Sequence, residues 1–113
     1  MVSYFQNVQW LETKTLYYWG DIDEHGFQIL HQIRSYYKNV QSLMMDIETY
    51  LEFEHFSGEG KRNNSSDLSL LTKEEASLYA LLKQKNGKNR LEQEKVSQFY
   101  VNSQLQKRIP LVT

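Results

Sequence analysis

Leu16-Tyr17-Tyr18-Trp19-Gly20-Asp21-Ile22-Asp23-Glu24-His25-Gly26-Phe27 is the stretch that decides the fold of this chain. It opens on a short aromatic-rich apolar run, Leu16 to Trp19, which Gly20 stops. Such side chains fit a pleated surface, and the run reads as a buried strand. The acidic turn Asp21 to Glu24 follows, then His25-Gly26. From Phe27 the period changes: Phe27, Leu30, Ile33 and Tyr37 recur at steps of three and four, broadened by Ile29 and Tyr36. That is an amphipathic helix laying one face on a sheet. Asn39 closes it, and Val40 to Met45 form a second apolar run ending in Asp46. Strand, helix and strand within about thirty residues make a βαβ unit, whose strands should be parallel with a right-handed crossover.

The flanks extend this unit. Residues 47–56 read as a short helix with Tyr50, Leu51 and Phe53 to bury. Residues 57–67 carry two glycines, two asparagines, serines and Lys61-Arg62, and read as a flexible loop. A helix restarts at Thr72, where Thr72 and Glu75 have capping-box spacing and Leu78 and Leu82 share a face. Asn86-Gly87 ends it. Arg90-Leu91-Glu92-Gln93-Glu94 is a compact charged segment, and a weaker helix spans 97–107, with Pro110 preventing its extension. Residues 1–15 are apolar without a clean period and read as a lead-in. No internal repeat is present. The fold expected is α/β, a small, mostly parallel sheet with packed helices.

Composition narrows the class. A chain of 113 residues is one domain. Hydrophobic residues at 40% provide enough apolar surface to offset ordering entropy, which excludes wholesale disorder. A net charge of -1 excludes a polybasic tail, though not a local nucleic-acid patch or a metal. With Cys at 0 there is no disulfide, thiolate zinc site or thiol nucleophile. No apolar run approaches the roughly 18–20 residues that span a bilayer, and no signal segment opens the chain. A cytoplasmic protein without membrane contact is expected.

The chemistry concentrates in Asp21-Ile22-Asp23. Two carboxylates one residue apart point the same way while the backbone is extended. They lie at the carboxyl end of the first strand of a βαβ unit, where open α/β sheets place ligands. Like charges held so close favour a bound cation or a raised pKa. Mg²⁺ fits, since it takes oxygen ligands, commonly one or two carboxylates completed by water and phosphate. Gly20 and Gly26 permit tight turns and bring a helix N-terminus near a phosphate. The bland alternative is an acidic turn capping a helix. Asp46 reads as a helix N-cap, with a role near the same sheet edge as the alternative. His25 either contacts phosphate or is an exposed polar residue; His31 and His55 read as surface residues. Lys61-Arg62 and the group Lys83, Lys85, Lys88 and Arg90 either meet a DNA backbone or are simply solvated. Tyr17-Tyr18-Trp19 reads as packing.

Taken together, Tyr18-Trp19-Gly20-Asp21-Ile22-Asp23, Gly26-Phe27, Ile29-Leu30, Leu43-Met44-Met45-Asp46 and Arg90-Leu91-Glu92-Gln93-Glu94 resemble one family. The chain is similar, from about residue 16 to 104, to the C-terminal Toprim-type domain of JetD, the nuclease subunit of bacterial Wadjet anti-plasmid systems. The resemblance implies a metal-dependent DNA endonuclease domain working with SMC-type partners, in which Asp21 and Asp23 hold Mg²⁺ (or Mn²⁺). Glu92 and Glu94 match the family's Arg-Leu-Glu-Gln-Glu motif. They either add a catalytic carboxylate or pair with Arg90. The resemblance also implies an upstream strand ending in glutamate, which Glu12 is too close to Asp21 to supply. On that basis the chain is expected to be a C-terminal fragment, incomplete on its N-terminal side, inactive alone and prone to self-association through an open sheet edge. The competing reading is a non-catalytic interaction or dimerisation module of the same fold. A phosphoacceptor domain is the weaker third, since its further Asp and Lys cannot both be placed.

Overall fold

Two three-residue strands and the helix between them form the centre of the molecule. The computed structural model describes residues 15–63 and 67–109. The elements are β1 (Leu16–Tyr18), α1 (Glu24–Tyr36), β2 (Val40–Ser42), α2 (Ile47–Phe53), α3 (Lys73–Gln84) and α4 (Gln98–Arg108), with single 3₁₀ turns at Glu54–Phe56 and Gln93–Lys95. β1 and β2 pair in parallel, Leu16 with Val40, Tyr17 with Gln41 and Tyr18 with Ser42. The expected βαβ unit is therefore present, and the described residues are α/β, with a two-stranded parallel sheet and four helices. The lead-in over 1–14, the centre of the long loop at 64–66 and Pro110 lie outside the described residues.

Three local readings shift. First, α1 begins at Glu24, ahead of the apolar period, because the Asp23 side chain accepts the Gly26 N–H at 2.6 Å and caps it. Second, β1 is half-buried rather than buried: alternation turns Tyr17 outward, 41% exposed. Third, the apolar run after β2 does not continue as strand. Met44 adopts a left-handed backbone, φ 57°, which swings Leu43, Met44 and Met45 into the core as a turn leading to α2. Asp46 caps α2, accepting the Thr49 N–H at 2.9 Å, as its position suggested. Leu51 is exposed, because a helix of seven residues presents only the Tyr50 and Phe53 face to the core.

The core lies where α1, the sheet and α3 meet. Phe27 and Leu30 from α1 and Leu78, Tyr79 and Leu82 from α3 are all buried, and Phe27 meets Tyr79 edge to face. Removing such side chains from water is the main favourable term in folding. α4 closes the other side, with Tyr100 edge to face against Phe53 and its hydroxyl 2.9 Å from the Thr49 hydroxyl. No described helix is long and apolar enough to cross a membrane.

One buried carboxylate ties these layers together. Glu75 and Thr72 form the capping box read from their spacing. The Glu75 carboxylate also pairs with Arg34 of α1, at 2.5 and 3.1 Å, and accepts the Ser42 hydroxyl at the end of β2. Arg34 itself donates to the Val40 and Leu70 carbonyls. Burial opposes ionisation of Glu75, but Arg34, Ser42 and the Thr72 N–H outweigh it and hold its carboxyl below the usual range. Replacing Glu75 by Ala leaves Arg34 largely buried without its partner and should cost about 3 kcal/mol. Thr72→Ala should cost about 1 kcal/mol. Because both act in one knot, the double variant should lose less than the sum, measured by urea denaturation.

Candidate functional site

The chain leaves β1 through Trp19 and Gly20 and immediately pairs with a distant segment. Ile22 donates its N–H to the Leu91 carbonyl at 2.9 Å and accepts the Leu91 N–H at 3.0 Å, an antiparallel bridge. Both side chains are buried, at 2% and 1% exposure. In extended backbone neighbouring side chains face the opposite way. Burying Ile22 and Leu91 therefore turns Asp21, Asp23, Arg90 and Glu92 together to the opposite face, where Asp23 is itself buried. Antiparallel pairing sets Asp23 across from Arg90 and Asp21 across from Glu92.

Each aspartate commits one oxygen to a backbone N–H. Asp21 Oδ1 accepts from Gln93 at 2.8 Å, and Asp23 Oδ1 accepts from Gly26. The remaining oxygens face one guanidinium: Asp21 Oδ2 lies 3.3 Å from Arg90 Nη2, and Asp23 Oδ2 lies 3.5 Å from Arg90 Nε. Glu92 Oε2 stands 3.7 Å from the same Nη2. Burial, then the Asp21 charge, raise the Asp23 carboxyl above its ordinary value; the Gly26 N–H and Arg90 offset part of the rise. Gly26 is required by its close backbone approach, and Gly20 leaves room for the Tyr18 side chain. A Cβ at Gly20 would stand against the Tyr18 ring and hydroxyl, and one at Gly26 would stand against the Asp21 carbonyl oxygen.

Asp21, Asp23, Arg90 and Gln93 form one wall of a cleft of about 660 Å³. Tyr18, Trp19 and Ile29 contribute an apolar wall, and His25, Lys61 and Arg62 a basic one. His25 and Lys61 are exposed. Arg62 is held: with Lys83 it pairs with Glu24, at 3.0 and 3.1 Å, and it also donates to carbonyls at the end of α3. Glu24 is 1% exposed and accepts the Asn63 N–H as well. Burial opposes its ionisation, yet Asn63, Lys83 and Arg62 hold its carboxyl below the usual range. Residues 57–63 are pinned further by paired backbone hydrogen bonds between Gly58 and Arg90, and by the buried Asn89 side chain bonding both ways to the Gly60 backbone.

The structure therefore brings Asp21 and Asp23 to Arg90 on the cleft wall, with Glu92 within ion-pair reach of the same guanidinium but outside the cleft lining, while Glu94 is exposed and also outside it. Of the basic group, Lys83 pairs with Glu24 and Lys85 with Glu54 at 2.6 Å. His31 Nδ1 accepts the Leu70 N–H, and His55 packs on the Phe56 ring. Asp21 and Asp23 supply the all-oxygen donor chemistry that a hard divalent cation takes, with water to complete it. Among the described residues no three acidic or histidine side chains converge as a metal cluster. The donor set fits a two-carboxylate ion. The sequence reading of Arg90 as a partner of Glu92 is borne out, but its place beside Asp21 and Asp23 was missed, as was Glu24 as a buried anchor. The first was signalled by the shared pattern of an apolar residue between two charges in Asp-Ile-Asp and Arg-Leu-Glu. Nothing local signalled the second.

A family model described as Wadjet protein JetD, C-terminal, matches residues 1–105. The chain belongs to this family. A curated relative, Wadjet protein JetD of Bacillus cereus (strain Q1), is 36% identical over 83 residues, covering 70% of this chain and 20% of the relative. The chain thus spans about a fifth of that relative's length. Both matches agree with the motifs from which the resemblance to JetD was read.

Two outcomes follow for this JetD-family domain. Gly26→Ala should destabilise by about 1–3 kcal/mol in thermal or urea melts, since the new methyl must displace the Asp21 backbone. For Glu24, whose folded pKa is depressed, the stabilising contribution is present above its ordinary value of 4.5 and lost as pH falls through the lower folded value. Glu24→Gln should therefore reduce stability at neutral pH and flatten its fall as pH drops below 4.5, measured as melting temperature against pH.

Proposed function

We propose that this chain is the metal-binding part of a Toprim-like DNA endonuclease domain, acting in plasmid defence with SMC-type partners. The observation that carries the reading is the arrangement of Asp21 and Asp23 after β1: one oxygen of each is locked to a backbone N–H, and the other is turned to a common cationic position. The family membership supports the same reading. When bound there, Mg²⁺ or Mn²⁺ would neutralise a scissile phosphate and orient a water. The chain's own residues hold the carboxylates in place, Gln93 and Gly26 through their N–H groups, and Lys61 on the cleft wall offers a positive charge to a phosphate backbone. Tyr18 lines the cleft, but burial and the two aspartates push its hydroxyl up to about 12. The raised value makes its phenolate harder to form, which counts against Tyr18 as a covalent nucleophile.

The second reading is a non-catalytic interaction module. It is favoured by Arg90, which already neutralises the carboxylates internally. One experiment separates the two: Mn²⁺ titration calorimetry on the chain and on Asp21→Asn and Asp23→Asn. It is joined by plasmid nicking in Mg²⁺ by a chimera carrying the chain in the aligned region of the Bacillus cereus relative. The nuclease reading expects weak Mn²⁺ binding and nicking, both lost in either variant, with little change in melting temperature because Asn keeps a carbonyl oxygen to accept the Gln93 or Gly26 N–H. Undiminished nicking by the variants would sink the metal assignment.

A further inference from the structure

The guanidinium of Arg90 lies where the two aspartates direct their uncommitted oxygens. It reaches three carboxylates, Asp21, Asp23 and Glu92, at 3.3, 3.5 and 3.7 Å, and saturates none of them. Its Nε is buried and makes no hydrogen bond. A guanidinium placed for strength would form a planar, two-toothed pair with one carboxylate at shorter range. Arg90 instead spreads one charge over three anions, as a spherical cation would. Its backbone is immobile by comparison: it exchanges two hydrogen bonds with Gly58, at 2.9 and 3.1 Å, and its Cβ lies against Gly60. The side chain is 41% exposed, so the charged end has a path out to the cleft without any backbone movement.

From this geometry we infer that Arg90 is a tethered counter-ion that holds the divalent-cation position of the Asp21–Asp23 site and is displaced when the cation binds. The inference rests on the metal reading of the site and adds its regulation. Without a cation the guanidinium relieves the repulsion between Asp21 and Asp23, which the Ile22–Leu91 bridge sets on one face, and reaches Glu92 at longer range. The same contact sets a threshold, because an entering cation must first break it. Binding is then weaker than the carboxylates alone would give, and the displaced guanidinium is left positive at the mouth of the cleft.

The alternative is that Arg90 positions the carboxylates for the cation, and the two roles predict opposite signs. The test is Mn²⁺ binding to the 113-residue chain, read by electron paramagnetic resonance of free Mn²⁺, for wild type, Arg90→Gln, Arg90→Lys and an Asp21→Asn, Asp23→Asn double variant. Displacement expects Arg90→Gln to bind Mn²⁺ about tenfold tighter than wild type, and Arg90→Lys to fall between them, since an ammonium cannot reach all three carboxylates. It also expects a lower metal-free melting temperature for Arg90→Gln and a larger rise on adding Mn²⁺ than in wild type. If Arg90→Gln does not fold, the Arg90→Lys affinity decides by the same sign. Equal or weaker binding by the Arg90 variants, with wild-type binding lost in the double aspartate variant, overturns the counter-ion role and leaves the metal site standing. Absence of binding in every protein, or binding unchanged by the double aspartate variant, overturns both.

Discussion

The pairing of Ile22 with Leu91 is the constraint on which the rest of the site depends. Two buried apolar side chains, nearly seventy positions apart in the chain, face the same core and exchange both backbone hydrogen bonds. Once they are buried, strand alternation leaves their four charged neighbours no choice of side. Three anions and one cation then share a small patch at the end of β1, and electrostatics shapes everything around it. Asp21 recruits the Gln93 N–H, Asp23 caps α1, and Arg90 spreads over the remainder. Hydrophobic burial supplies the free energy, and the charges are gathered on the opposite face as its consequence, with Asp23 itself buried there.

The other charged knots serve the same geometry from further out. Glu24 gathers Arg62, Lys83 and Asn63 and so draws the segment before residue 64 onto the start of α1. Glu75 gathers Arg34, Thr72 and Ser42 and locks α3 against the end of β2. Buried carboxylates of this kind are tolerated because each is met by several donors, and removing one donor set leaves opposite charge stranded. Carboxylates also engage several of the chain's basic residues: Arg62 and Lys83 pair with the buried Glu24, and Lys85 with the partly exposed Glu54.

Much of the fold was legible because it follows from local rules. The aromatic run before Gly20, the change to a helical period at Phe27 and the second apolar run at Val40 give the βαβ unit. Thr72 and Glu75 mark a helix start by their spacing, and Asp46 acts as the cap its position suggests. The readings that shifted depend on contacts with no local signature. Met44 takes a left-handed backbone so that three apolar residues can turn into the core instead of extending β2. Leu51 stays outside because α2 is too short to bury two faces. Tyr17 is exposed because its side of the sheet is left open, which a run of four apolar residues cannot reveal.

The sequence by itself determined the element types, the α/β class, the position of the Asp-Ile-Asp pair at the end of the first strand, and the motifs that place the chain in its family. Each of these is written in short-range patterns: period, caps, turn residues and spacing. Only the tertiary structure decided that Arg90 stands among the carboxylates, that Glu92 joins them while Glu94 does not, and that Glu24 is a buried anchor rather than part of an acidic turn. The reason is range. A charge acts over a few ångströms of space whatever its distance along the chain, and which charges become neighbours is settled by where the apolar residues between them are buried.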